Sequence, residues 1–458
     1  MHAMPRYTLI GAGPVGALMA LLLARGGRRV RLIERRPDPR RAPAERGRSI
    51  NLALAARGLL ALEQAGLMPH VAPALIAMPG RMLHDTEGAQ RFLRYGQNER
   101  EVIYAVSREL LNRLLLEAAE HSPYIELQFD TRCLDVDPQA RSLTLRDERS
   151  GQSTSERFEV LLGVDGAGSA VRAALVSRGY TSAHEEPLEH DYKELWIAPD
   201  AAREDRYAFE PQALHIWPRG GHMLIALPNT DGSFTATLFL PRHGEPGFDQ
   251  LHSGEAVEQL FQTQFADAAR AIPDLSEQFA AHPQGRLGTL YCQGWQVEGR
   301  VLLLGDAAHA IVPFHGQGLN CGFEDCRLLD QWLGEDGGRD PAARALSFQR
   351  FERERNPDTA AIAAMALENY IEMRERVREP QFACRQELAA ALERRYPQRF
   401  IPRYSMVMFH AEIPYAEAQR RGAAQQQVLD ALMAESDAKS LESAEGPEVA
   451  ALLDQAGL

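Results

Sequence analysis

Gly11, Gly13 and Gly16 constrain the fold of this chain more than any other feature of it. They stand in YTLIGAGPVGALMALLLARGG, after a β-prone run (Tyr7 to Ile10) and before good helix formers (Ala17 to Ala24) that Gly26 and Gly27 stop. Pro14 suits a helix start, where a missing N–H leaves no bond unmade. RVRLIE follows, with Val30 and Leu32 alternating against charge, and reads as a second strand ending in Glu34, 23 residues after Gly11. Strand, glycine turn, helix, strand and acid together describe a βαβ unit that binds a dinucleotide. The first glycine permits the turn, the second lets a pyrophosphate approach the helix N-terminus, and the third lets helix and strand pack closely. Glu34 is placed for a ribose hydroxyl.

The same region holds 18 uncharged residues between Arg6 and Arg25, a length that would also suit a secretion signal or a membrane span. Glycines and Pro14 break its first half, the unbroken apolar run from Ala17 to Ala24 has only eight residues, and RGGRRV follows where a small-residue cleavage site would stand. The expectation is a cytoplasmic chain without a membrane anchor. Its 458 residues allow two to four folding units, and 50 Lys+Arg against 63 Asp+Glu give a net charge of -13. That balance argues against nucleic acid as a partner, which would need a clustered basic face. Five scattered cysteines make neither a disulfide framework nor a zinc site, so no metal is expected. Eleven arginines from Arg25 to Arg57 form a local basic patch, read as a solvated face, with attraction of nucleotide phosphates as its second meaning.

Further along, helices are expected around Arg57 to Leu67 and Arg108 to Ala119, and strands from about Ile125 to Val164. Between Tyr192 and Leu240 short alternating segments (ALHIWP, HMLIALP, FTATLFLP) separated by Gly, Pro and Asn predict an antiparallel sheet. VLLLGDAAH returns to a buried-strand pattern, Gly318 to Leu333 reads as a helix, and the chain from Pro341 is helical except at RRYPQRFIPRYS.

The fingerprint alone leaves FAD and NAD open, since both carry an ADP half. Two distant strand ends, Asp165-Gly166 and Gly305-Asp306, favour the longer flavin dinucleotide, whose ribityl hydroxyls a carboxylate can accept from. Gly316, Gly318 and Asn320 open a helix whose backbone N–H groups could meet the ring or a phosphate.

GAGPVG, GVDGAGSAVR and LLLGDAAHAIVPFHGQGLN together resemble the single-component FAD aromatic hydroxylases. ERRPDPR, GRSINLAL, LENYIEM and FIPRYSMV resemble, more narrowly, the kynurenine 3-monooxygenase family, from about residue 6 to about residue 425. The resemblance implies an α/β fold: a Rossmann-type FAD-binding domain (1–190 and 291–340), an inserted antiparallel-sheet substrate domain (191–290) and a helical C-terminal region (341–458). It implies FAD as cofactor, with contacts from Glu34, Arg35, Ala53, Arg108, Cys133 through its backbone, Asp165, Asp306, Gly318, Leu319 and Asn320. Arg81, Tyr95, Asn369 and Tyr404 would hold the carboxylate of L-kynurenine, Pro313, Phe314 and His315 would lie on the loop facing the flavin, and Ile225, Leu227 and Phe239 would line the ring slot. Taken singly these have plainer meanings: a surface arginine for Arg81, a helix-face residue for Asn369, a core tyrosine for Tyr404, a helix cap for Arg108.

The reaction so implied is 3-hydroxylation of L-kynurenine with NADPH and O2 through a flavin C4a-hydroperoxide. No protein base is assigned, because the substrate's aromatic amine activates the ring itself. No second dinucleotide fingerprint is present, so NADPH would bind only transiently. A homodimer is compatible with such a chain. A FAD hydroxylase of another aromatic acid or phenol, and more remotely a non-catalytic flavin-fold protein, are the competing readings. The mitochondrial-type members carry a hydrophobic C-terminal anchor, whereas this chain ends ESAEGPEVAALLDQAGL.

Overall fold

The computed structural model describes residues 4–41, 51–334, 338–374, 380–435 and 447–458. Ser49 and Ile50 of SINLAL, and Arg46 and Arg48 of the basic patch, lie outside them. The described residues fall into two compact units, one from residues 1–76, 104–189 and 285–360, the other from 77–103, 190–284 and 361–458.

In the first unit the strand Tyr7–Ile10 pairs in parallel with Val160–Gly163 on one side and Val30–Ile33 on the other. Val301–Leu303 and Ile125–Gln128 extend this sheet in parallel, and Gln296–Val297 adds an antiparallel edge. Parallel strands covered on both faces need continuous apolar runs. Tyr7, Leu9, Val160, Leu161, Leu162, Val301, Leu302 and Leu303 supply them, all fully buried. The helix Pro14–Arg25 lays Ala17, Leu18, Met19, Ala20 and Leu23 into the same core. It stops where the sequence requires: Gly27 takes φ +74°, its N–H donates to the Ala24 carbonyl, and the Arg28 N–H reaches back to Leu23.

The second unit is built on six strands in the order 182–197, Phe234–Pro241, Met223–Pro228, Leu214–Pro218, Gly80–His84, Gln90–Arg94. Leu224, Ala226, Ala236, Leu238 and Leu240 point to one face and pack with Phe248, Val257, Phe261 and Phe265, the last two fully buried. Burying each such phenylalanine contributes about 1.5–3 kcal/mol. The polar groups on that face are satisfied among themselves. His84 bonds Asp267 at 2.7 Å and His215 at 2.8 Å, and the Trp217 indole N–H donates to Asp267 at 2.8 Å. Burial pushes the His215 pKa down to about 4, so its ring stays neutral. The helices Pro380–Arg395, Tyr415–Glu435 and Pro447–Gln455 share a further core of Leu388, Leu392, Phe400, Val428, Leu432 and Leu453. Among the described residues no helix is long and apolar enough to cross a membrane.

One segment departs from the expected division of the chain. Residues 77–103 fold with the second unit because Gly80–His84 pairs in parallel with Leu214–Pro218, Arg81 opposite Leu214. The 16-residue strand Ser182–Ile197 carries the change of unit, which falls between residues 189 and 190.

Candidate functional site

The three glycines of the first turn do three different things. Gly11 has φ +108°, and a Cβ there would lie 2.5 Å from the Val164 carbonyl oxygen. A Cβ on Gly16 would meet the Gly11 carbonyl oxygen far inside contact distance. Gly13 has an ordinary φ of -70°, and a Cβ there would meet nothing within 4 Å. The space left open is at Gly13, beside the first turn of a 12-residue helix whose leading N–H groups have no intrahelical acceptors. An anion fits there, and the dinucleotide pyrophosphate is the anion that the motif accommodates. Glu34 is half-buried and braces the turn, its Oε2 accepting from the Ala12 N–H at 2.9 Å and its Oε1 from the Arg36 N–H at 3.0 Å. Arg35 is exposed.

The other expected flavin contacts divide by what their side chains already hold. Asp165 turns its carboxylate onto its own chain, accepting from the Ser169 hydroxyl at 2.5 Å and from the Ala170 N–H at 2.7 Å. It therefore serves the start of the helix Ala170–Ser177, and burial raises its pKa against the pull of those bonds. Asp306 opens the single-turn helix Asp306–His309 and is half-buried. Asn320 is a clamp: its Nδ2 donates to the Ala53 and Gly316 carbonyls and its Oδ1 accepts from the Ala55 N–H, all at 2.8 Å. Gly318 and Leu319 begin that helix, Gly318–Leu333, and are half-buried. Cys133 is buried on the strand Thr131–Asp137, and burial, with the Asp165 charge, pushes its thiol up to about 12. Its Sγ–H donates to the Asp135 carbonyl at 3.7 Å. Arg108 is exposed, and the cap of Arg108–Glu120 is Ser107, whose hydroxyl accepts from the Leu110 N–H at 3.4 Å. The sequence assignment of that cap to Arg108 is corrected accordingly: only an acceptor can satisfy an N-terminal amide. Pro313 is exposed, while Phe314 and His315 are buried in the short turn that Gly316 closes at φ +65°.

In the second unit, strand register settles which residues share a face. Ile225 and Leu227 alternate on one strand; Phe239 lies opposite Met223, two residues from Ile225. Ile225 lies opposite Ile216, two residues from Leu214, which is opposite Arg81. Arg81 is opposite Leu93, and the Tyr95 N–H continues that ladder to the Pro79 carbonyl at 3.0 Å. Arg81, Tyr95, Ile225, Leu227 and Phe239 therefore stand on one face, the one turned away from Leu224 and Leu238. Tyr404, on the helix Arg403–Phe409, stacks on Tyr95 with ring centroids 5.4 Å apart.

The charge environment of this pair is informative. Burial raises the Tyr95 pKa well above the ordinary phenol range, with the Tyr404 hydroxyl beside it adding to the rise and the Arg81 charge opposing it. Burial likewise lifts Tyr404 to about 12, with Arg81 again opposing. Both phenols are thus protonated donors, and the guanidinium is close enough to act on each. Glu372, which the sequence reading missed, acts on Tyr404 in the opposite sense to Arg81. Asn369, three residues earlier on the same helix, is buried and donates to the Met373 sulfur at 3.4 Å.

Also missed was a buried ionic cluster in the first unit. Arg355 donates to Asp325 and ion-pairs with Glu324, both at 2.8 Å, and Arg57 donates to Glu324 at 2.6 Å. His309 bonds Asp325 at 2.6 Å. Burial disfavours the charged imidazole, but the Asp325 carboxylate, aided by Cys321, outweighs it and holds the His309 pKa up at about 10.

A parallel sheet with a glycine cradle at the end of an interior strand is the architecture of a dinucleotide-binding domain. The family model described as an FAD binding domain matches residues 7–363. The chain is 48% identical over 428 residues, 93% of its length and 92% of the relative's, to a curated kynurenine 3-monooxygenase of Stenotrophomonas maltophilia (strain K279a). It is 45% identical over 416 residues to that of Myxococcus xanthus (strain DK1622), covering 91% of this chain and 88% of the relative. Among solved structures, pqsL from Pseudomonas aeruginosa, described as a probable FAD-dependent monooxygenase, superposes with a TM-score of 0.64 at 21% identity, covering 82% of this chain and 98% of that one. The chain belongs to the kynurenine 3-monooxygenase family of FAD-dependent monooxygenases.

Proposed function

We propose that this protein hydroxylates L-kynurenine to 3-hydroxy-L-kynurenine, with FAD as cofactor and NADPH and O2 as co-substrates. The observation that carries the reading is Arg81 on the same sheet face as Ile225, Leu227 and Phe239. L-Kynurenine has a carboxylate at one end and an aromatic amine at the other, and that face offers a cation and an apolar wall in matching order. The proposal keeps the cytoplasmic location and the small-molecule partners expected from the sequence.

When bound, the flavin supplies the redox and oxygen-transfer chemistry. The chain's own work is recognition and orientation. Arg81 pairs with the substrate carboxylate in a charge-assisted bond, which contributes about 1.5–3 kcal/mol. Tyr95 and Tyr404, kept protonated by burial, donate to the same carboxylate. Asn369 orients it, Ile225, Leu227 and Phe239 receive the ring, and Phe314 and His315 shape the loop on the flavin side. No side chain is assigned as a base, since the aromatic amine activates the ortho carbon.

Binding of L-kynurenine and of its carboxamide, followed through the flavin absorbance of the holoenzyme, tests the reading. The amide, which lacks the charge, is expected to bind at least about tenfold more weakly. Equal affinity would contradict recognition through Arg81.

A further inference from the structure

The helix Gly318–Leu333 buries an unusual load of polar residues: Asn320, Glu324 and Asp325. Ions withdrawn from water destabilise a fold unless each is paired in good geometry. Here each is paired, and the pairing has a specific consequence. Asp325 Oδ2 accepts from the Gly305 N–H at 3.0 Å and from His309 Nε2 at 2.6 Å, while Oδ1 accepts from Arg355 Nε at 2.8 Å. Gly305 and His309 bracket the single-turn helix that begins with Asp306, so one fully buried carboxylate holds that turn at both ends. The turn needs such a restraint. Gly305 sits at φ +57°, ψ -145°, a conformation that few residues adopt, and a Cβ there would lie 3.3 Å from Val15.

His309, Cys321 and Asp325 also bring three potential metal-ligand atoms within 4.8 Å of one another. The Arg355 guanidinium already stands among them, donating to the Cys321 sulfur at 3.2 Å as well as to Asp325. A metal ion would have to displace it, so the cluster is a protein-filled ionic lock.

We propose that Asp325 and His309 are positioning residues for the flavin: their hydrogen bond sets the Gly305–Asp306 strand end so that Asp306 is presented to the ribityl chain. This rests on the reading of Asp306 as a flavin ligand. Arg355, tied to Glu324 and Asp358, and through Glu324 to Arg57, fixes Asp325 in turn.

The test is FAD titration of the full-length apoprotein, followed by flavin fluorescence, for Asp306→Ala, His309→Ala, His309→Gln and Asp325→Asn. Loss of one such bond is expected to weaken FAD binding about tenfold in Asp306→Ala, His309→Ala and Asp325→Asn. His309→Gln places an amide N–H near the position of Nε2 and is expected to restore affinity to within about threefold of the parent, a rescue that general loosening of the core would not give. If Asp306→Ala weakens FAD and His309→Ala does not, the clamp is overturned. Equal weakening in His309→Ala and His309→Gln overturns it too. Parent-like FAD binding in Asp306→Ala overturns the ligand reading beneath it. Should Asp325→Asn fail to fold, the two His309 variants decide the question alone.

Discussion

Replacing Gly13 by aspartate is expected to give a folded but colourless protein, and replacing Gly16 by valine to give no folded protein at all. The two glycines are three residues apart in one motif, yet they meet different surroundings. At Gly13 the backbone angles suit any residue and a Cβ touches nothing within 4 Å, so the fold has no reason to resist a side chain. What resists is the cofactor. A carboxylate some 4–5 Å from a pyrophosphate charge costs about 3–4 kcal/mol at an effective dielectric of 20, a hundredfold loss of FAD or more. At Gly16 the opposing atom is the Gly11 carbonyl oxygen, and backbone faces backbone, so neither side can give way. Far-UV circular dichroism and flavin absorbance of the two purified variants separate these outcomes. A yellow Gly13→Asp protein would mean that the cradle is not where the pyrophosphate lies.

Replacing Arg81 by methionine is expected to weaken L-kynurenine binding ten- to a hundredfold, about 1.5–3 kcal/mol, while FAD content stays at the parent level. Methionine preserves much of the unbranched stem and removes the charge. Tyr404→Phe should cost less, about 0.5–1.5 kcal/mol, because it deletes one neutral donor and keeps the ring that stacks on Tyr95. The ordering matters more than either value. Equal losses would show that the cation has no special part in the site, and unchanged binding in Arg81→Met would remove the carboxylate from this face altogether.

The first βαβ unit was legible because its glycines encode backbone geometry directly. A positive φ at Gly11 and a backbone approach at Gly16 admit no other residue, and both are local to one turn. The alternating strands between Tyr192 and Leu240 were legible for a similar reason, since period-2 patterning survives in a hairpin whatever the rest of the fold does, whereas the choice of Ile225, Leu227 and Phe239 among their residues came from the family resemblance alone. Residues 77–103 were not. Their place depends on Arg81 pairing with Leu214, more than a hundred residues away, and nothing local to GRMLH announces a parallel partner. The Asp325 cluster was hidden likewise, because Arg57, His309, Glu324 and Arg355 are ordinary surface types until four segments bring them together. Asp165 was legible as a strand-end acid, but its partners, the Ser169 hydroxyl and the Ala170 amide, were not read from the sequence. Nor was Ser107 read as the cap before Arg108.

The most direct test of the central claim is a single reaction: purified holoenzyme, NADPH and air, with and without L-kynurenine, followed by NADPH absorbance and by mass analysis of the product. The account predicts that L-kynurenine accelerates NADPH oxidation and is converted to 3-hydroxy-L-kynurenine in step with the NADPH consumed. NADPH oxidation indifferent to L-kynurenine, or hydroxylation of a phenol or salicylate-like acid with L-kynurenine untouched, would contradict it.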